Sequence, residues 1–304
     1  YGPSGGDAPF RAFLTEYYAG LGAELAPQNL MVTTGGSEAV LFAFAACLDH
    51  GDEVLVPDPM YANYMGYGTM LGNAVRPIPT RVEDGYHLPE SLDAFVTPRT
   101  KAVLLCNPAN PTGAVYTEAE VARIIDLVVR HDLFLIADEV YREFVYDAPA
   151  GTRAPSVLSR PGSEECGIVI DSVSKRYSAC GARVGCLVTR NQDARRAALH
   201  FGQARLSPAS VDQHAGLAAL QTPRSYFDEV VEEYTRRRNM LVDGLASIGI
   251  EVERPRGAFY LAVALPVEDA TAFSEWMVSE FTLENETLCV APLEGFYHTP
   301  GLGR

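Results

Sequence analysis

Five apolar runs of strand length, in LMVTT, EVLVPD, KAVLLC, LFLIAD and IVIDS, each end in a loop built from glycine, proline, serine or acid. Several of these loops pass into helical patterns, as where GGSEAVLFAFAACL follows LMVTT. Strand, loop and helix repeated in this way predict an α/β domain with a largely parallel sheet. Ligands of such sheets bind on the loops at the carboxyl ends of the strands. At 304 residues and 47% hydrophobic, the chain has room for a sizeable core and for a smaller domain beside a large one. The formal net charge of −15 argues against nucleic acid or an anionic membrane surface as a partner, so any anionic ligand must be gripped by local donors.

Six cysteines without CxxC spacing fit reduced thiols in a cytoplasmic protein better than a disulfide framework. The six histidines have no metal-ligand spacing. No apolar run is long enough to span a membrane, and no signal peptide is visible. The chain starts at Tyr1 inside a turn and ends in GFYHTPGLGR without a closing element, so it reads as a fragment truncated at both ends.

The loops carry the chemistry. In IVIDSVSKRYSACGARVG, Lys175 follows Ser172 by three residues and precedes Arg183 by eight, with small residues between. A hydroxyl and a guanidinium near an amine suit a bound phosphate. A partly desolvated amine beside it can lose its proton and attack a carbonyl. A surface lysine in a strand-to-helix loop is the plainer alternative. Gly35, Gly36 and Ser37 open a buried helix and resemble a phosphate cradle, although Gly-Gly before a helix is often only a turn. Tyr61, past Pro59, sits where an aromatic face can stack on a planar ring or simply pack in the core. NPANPTG projects Asn110 at a strand end. Asp138 and Glu139 end another buried strand, with Tyr141 close behind. A carboxylate there needs a positive partner, which is either a protonated pyridine nitrogen or a structural arginine.

The remaining chain reads as an opening amphipathic helix through about Gly20 and a helix from about Thr117 to His131. A strand follows at Val184 to Thr189, then helices near Asp193 to Phe201 and Val211 to Leu220. A long helix has Thr222 as N-cap, Pro223 at the first helical position and Gly249 as its stop. Phe227, Val230, Tyr234, Leu241 and Leu245 form its apolar stripe. Beyond it, IEVERPRGAFYLAVALP reads as a strand pair in a second domain.

TTGGSEAV, DPMYANY, NPANPTG, DEVY, SVSK and GARVG, in this order and spacing, closely resemble the class I/II aminotransferases of the aspartate aminotransferase superfamily, across essentially the whole chain. The resemblance implies a fold type I, three-layer α/β architecture, a mainly parallel sheet flanked by helices. A large cofactor domain would span 1–235 and a smaller α+β domain 236–304, joined by the helix 223–248. It implies pyridoxal 5′-phosphate (PLP) as cofactor, amino acids and 2-oxo acids as substrates, and a homodimer. Lys175 would form the Schiff base and shuttle protons. Asp138 would pair with the pyridine nitrogen, Asn110 and Tyr141 would address the ring hydroxyl, and Tyr61 would stack on the ring. Gly36, Ser37, Ser172 and Arg183 would hold the phosphate, Glu38 would join the cofactor-binding set, and Tyr1 would reach a partner's phosphate site. Relatives also carry a segment before Tyr1 that caps the substrate, and an arginine for its α-carboxylate that lies further on than Arg304. β-Elimination, decarboxylation, aminocyclopropane-carboxylate formation and a non-catalytic PLP-sensing regulator remain alternatives to transamination.

Overall fold

The computed structural model describes residues 1–303, and Arg304 lies outside them. Its strands are β1 (Leu30–Thr34), β2 (Glu53–Asp58), β3 (Ala74–Pro79), β4 (Thr100–Cys106), β5 (Phe134–Asp138), β6 (Gly167–Ser172) and β7 (Val184–Thr189). The helices are α1 (Ala8–Ala19), α2 (Gly35–Cys47), α3 (Asn63–Leu71), α4 (Glu118–Arg130), α5 (Val173–Arg176), α6 (Gln192–Arg205), α7 (Ser210–Leu220), α8 (Arg224–Ser247) and α9 (Ala270–Ser279). The strands form one sheet in the order β1-β7-β6-β5-β4-β2-β3. Every neighbouring pair is parallel except the two that involve β7.

Alternation along the strands feeds two cores, one on each face. Val103, Leu105 and Val169 pack with Phe10 and Leu14 of α1 and Ile124 and Val128 of α4. Ala102, Leu104, Ile168 and Ile170 face the other way, against Val40 and Phe44 of α2 and Ala194 and Ala198 of α6. Helix, sheet and helix are therefore the three layers. The α4 start is fixed by a capping box, in which Thr117 Oγ1 accepts from Glu120 N at 3.2 Å and Glu120 Oε2 accepts from Thr117 N at 2.8 Å.

Four local features differ from the sequence reading. The strand β3 goes unpredicted because Pro77 and Pro79 break its pattern, and such prolines are tolerated because β3 is the outermost strand. Thr222 does not cap α8: its amide closes the turn leaving α7, and Pro223, with ψ 154°, is the boundary residue. Of the stripe on α8, Phe227 is buried but Leu241 is exposed. Arg238 is buried further along instead, held by Asp147 at 2.7 and 2.8 Å. Nor does IEVERPRGAFYLAVALP form a strand pair; one isolated bridge joins Val145 to Gly257, and no adjacent strand supplies a ladder among the described residues.

The antiparallel strand sets the site. Because β7 runs against both β1 and β6, the start of β7 lies at the same sheet edge as the ends of β1 and β6, with Thr34 opposite Val184 and Ser172 opposite Gly185. Gly185 has no room for a side chain: a Cβ there would lie 2.5 Å from Gly35 C and 2.7 Å from Gly36 N. This glycine lets the start of α2 close onto the sheet.

Candidate active site

At that edge a cavity of about 180 Å³ is lined by Gly36, Ser37, Tyr61, Asn110, Asp138 and Tyr141, together with Ser172, Lys175 and Arg183. Nine of the predicted positions thus converge from five strand ends. Two do not line it. Glu38 is turned away, accepting from Thr34 N at 2.8 Å and pairing with Arg205 Nε at 3.2 Å, because the next position on α2 lies about 100° around the axis from Ser37. Tyr1 is fully exposed and reaches no part of the cavity of its own chain.

Asp138 ends β5 and is 7% exposed. Its Oδ2 accepts from Tyr64 Oη at 2.6 Å and its Oδ1 from Val140 N at 3.3 Å. The other acids around it are matched by arginine: Glu139 by Arg142, Asp171 by Arg142 and Arg176, and Glu143 by Arg153 and Arg224. Among the described residues no cation pairs with Asp138. The structural arginine therefore belongs to Glu139, and Asp138 is left for something else. Burial pushes its carboxyl from 3.8 up to about 6, against the lowering effect of the Tyr64 hydroxyl.

Asn110 points into the same space. The two asparagines of NPANP divide their work: Asn107 Oδ1 accepts from Tyr116 N at 3.0 Å and holds the loop, whereas Asn110 Oδ1 is buried with no partner among the described residues. Tyr141 Oη hydrogen-bonds Tyr260 Oη, and burial and that neighbour push its hydroxyl above the usual tyrosine range. Tyr61 is half-buried, its hydroxyl accepting from Asn63 Nδ2 at 2.7 Å.

Lys175 lies on α5, the four-residue helix leaving β6. Its Nζ is 4.0 Å from Cys180 Sγ and has no carboxylate partner among the described residues. The chain contains two lysines, and the other, Lys101, is exposed at the opposite end of β4. Arg183 adopts φ 51°, its Nη1 donating to Cys180 O at 3.0 Å. Its guanidinium lies across Gly35, where φ is +73° and a Cβ would come within 2.5 Å of Nη2. Glycine at 35 thus brings a cation onto the first turn of α2, whose N–H groups have no intrahelical acceptors. Ser172 Oγ is engaged in the fold, donating to Val184 O at 3.0 Å and accepting from Ser174 N at 3.1 Å. Ser174, which also lines the cavity, went unread in the sequence, as did Tyr64 and Tyr260. Tyr64 carried a signal, one turn beyond Tyr61 on a helix that must face the sheet.

An anion cradle, a single available amine, an orphaned amide oxygen and a buried carboxylate without a cation fit a phosphorylated pyridine aldehyde. Fold and site together define an α/β enzyme that holds such a cofactor. The sequence model described as aminotransferase class I and II matches residues 1–304. Aromatic-amino-acid aminotransferase 2 of Thermococcus litoralis is 32% identical over 302 residues, covering 97% of this chain and 76% of that protein. LL-diaminopimelate aminotransferase of Desulforudis audaxviator is 34% identical over 312 residues, covering 100% and 76%. A solved structure of a Thermus thermophilus aspartate aminotransferase mutant superposes with a TM-score of 0.88 at 30% identity, covering 97% of this chain and 80% of that one. The chain belongs to the class I and II aminotransferase family. It is an aminotransferase of fold type I, and its cofactor is pyridoxal 5′-phosphate.

The raised Asp138 value has a measurable sign. Stability from a carboxyl raised by burial is fully present below its ordinary value near 3.8 and is lost as pH rises through about 6. In cofactor-free protein, Asp138→Asn removes that loss. Its stability relative to wild type is expected to rise by roughly 2 kcal/mol between about pH 4 and neutrality, measured by urea unfolding. A difference that does not change with pH would contradict the assignment.

Proposed function

We propose that this aminotransferase moves the amino group of an α-amino acid to a 2-oxo acid, with Lys175 attaching the cofactor and carrying the proton. One observation carries the reading: among the described residues, the cavity's lysine has no anionic partner and the buried carboxylate in the same cavity has no cationic one. When bound, PLP supplies a protonated ring that draws electron density from the substrate's Cα. The Asp138 carboxylate, oriented by the Tyr64 hydroxyl, would hold the proton on the ring nitrogen. Lys175 Nζ would be the base that takes the substrate's Cα proton and returns it on the cofactor side. The Tyr61 ring would stack on the cofactor, and Asn110 and Tyr141 would address its ring hydroxyl. The first turn of α2, Ser37, Ser174 and Arg183 would hold the phosphate, while Ser172 serves by capping the lysine-bearing turn.

The larger domain of this reading spans 1–235 and the smaller 236–304, with α8 joining them. A homodimer completes the site through Tyr1. Supporting this, Tyr1 is fully exposed, and Leu206 and Val211 are exposed apolar side chains flanking Ser210, against which Gly2 lies. The cytoplasm is the proposed location, which cell fractionation checks; no described helix is long and apolar enough to cross a membrane.

Borohydride reduction with PLP followed by peptide mapping is expected to put one pyridoxyl group on Lys175 and none on Lys101. Lys175→Ala should abolish the label and slow turnover by roughly 10²–10⁴-fold. Label on Lys101 would sink the reading. Sedimentation with cofactor absorbance across a dilution series is expected to show a dimer that loses PLP as it dissociates. A monomer that keeps its cofactor and its activity would rule out the shared site.

A further inference from the structure

The residues facing the cavity alternate with residues that face away from it. Ser172, Ser174 and Lys175 line the cavity, whereas Asp171, Val173 and Arg176 point beneath it. Below, one Arg176 guanidinium nitrogen lies 2.7 Å from both carboxylate oxygens of Asp171, with each side chain 2% exposed. The pair closes across the base of the turn and brackets the cavity-facing residues. Asp171 Oδ1 also accepts from Ser172 N at 2.7 Å, so the carboxylate holds the backbone as well as the guanidinium.

We propose that Arg176, through Asp171, is a positioning residue that sets Lys175 Nζ relative to Asp138. This rests on the reading of Lys175 as the residue that attaches the cofactor.

The staple is itself anchored. Arg176 Cζ stacks 4.3 Å over the Tyr17 ring, and the Tyr17 hydroxyl donates to Glu143 at 2.8 Å. Asp171 Oδ2 accepts from Tyr18 Oη at 3.0 Å and pairs with Arg142 at 3.3 Å. Arg142 in turn holds Glu139, the residue after Asp138. A continuous buried chain of contacts thus runs from the residue after the lysine to the residue after the cavity carboxylate. Burial alone would raise the Asp171 carboxyl, but Arg176 and Arg142 hold it below the ordinary range, so the pair stays ionised. Against a well-packed apolar replacement, a buried ion pair of this kind contributes little net stability. What it fixes is direction, and in a site where small misplacements slow reaction steeply, direction matters.

The test compares wild type, Arg176→Lys and the double variant Asp171→Asn/Arg176→Met, which leaves neither partner as an orphaned charge. The readouts are the rate of reductive pyridoxyl labelling of Lys175, the pH midpoint of the bound cofactor's absorbance change, and the urea unfolding midpoint. The double variant is expected to label roughly tenfold or more slowly. Its absorbance midpoint should move by about one pH unit. Arg176→Lys, which keeps the charge but not the planar fork, should fall between it and wild type. A folded double variant with wild-type labelling rate and wild-type midpoint overturns the proposal. If that variant does not fold, Arg176→Lys decides: a wild-type rate and midpoint overturns the proposal, and a slowed rate with a shifted midpoint supports it. Wild type without label on Lys175 overturns the underlying reading of the lysine as well, so the two failures are distinguishable.

Discussion

Asp138 is a carboxylate buried at the end of a central strand with no cationic partner among the described residues, while the acids around it are matched by arginines. Burying a charge is unfavourable unless it is paired and hydrogen-bonded. The fold supplies the hydrogen bonds, from Tyr64 and the Val140 amide, and under the proposed reading the cofactor's ring nitrogen would supply the pairing. Glu139, one residue on, lies in the same buried setting and yet is fully engaged with Arg142, Ser156 and the Val157 amide. The contrast between two adjacent acids separates a residue that holds the fold from one that lines the cavity.

The sheet order makes that contrast usable. Had β7 run parallel to β6, the start of α2 and the Arg183 loop would lie at opposite edges of the sheet. Running antiparallel to both neighbours, β7 brings Arg183 to the α2 N-terminus, across from Lys175. Two glycines permit the contact, Gly35 beneath the guanidinium and Gly185 beneath the turn. An anion can then be held by helix N–H groups and one arginine in a chain whose net charge is −15.

Much of this was legible in the sequence, and what was not has physical causes. Asp138 ends an unbroken apolar run, and Lys175 and Asn110 lie in the loops that follow such runs, where a polar side chain faces either a ligand or a buried partner. Which of the two could not be read for Asp138, since the arginine that satisfies Glu139 comes three residues further on and its direction is a tertiary fact. Ser172 was legible as a residue of the site, but not as one whose hydroxyl is occupied by Val184 O across the sheet. Tyr260 was hidden because its segment has a strand's alternation without a strand's neighbours, and long-range packing brings it to Tyr141. The β3 strand was hidden by prolines that only an edge position accommodates.

The central claim is that the unmatched Asp138 carboxylate exists to hold a proton on the cofactor's ring nitrogen. The most direct measurement is the ¹⁵N chemical shift of ring-labelled PLP bound to the wild-type protein and to Asp138→Asn at neutral pH. The account predicts a protonated ring nitrogen in the wild type and an unprotonated one in the variant. An unprotonated nitrogen in the wild type, or the same shift in both proteins, would contradict it.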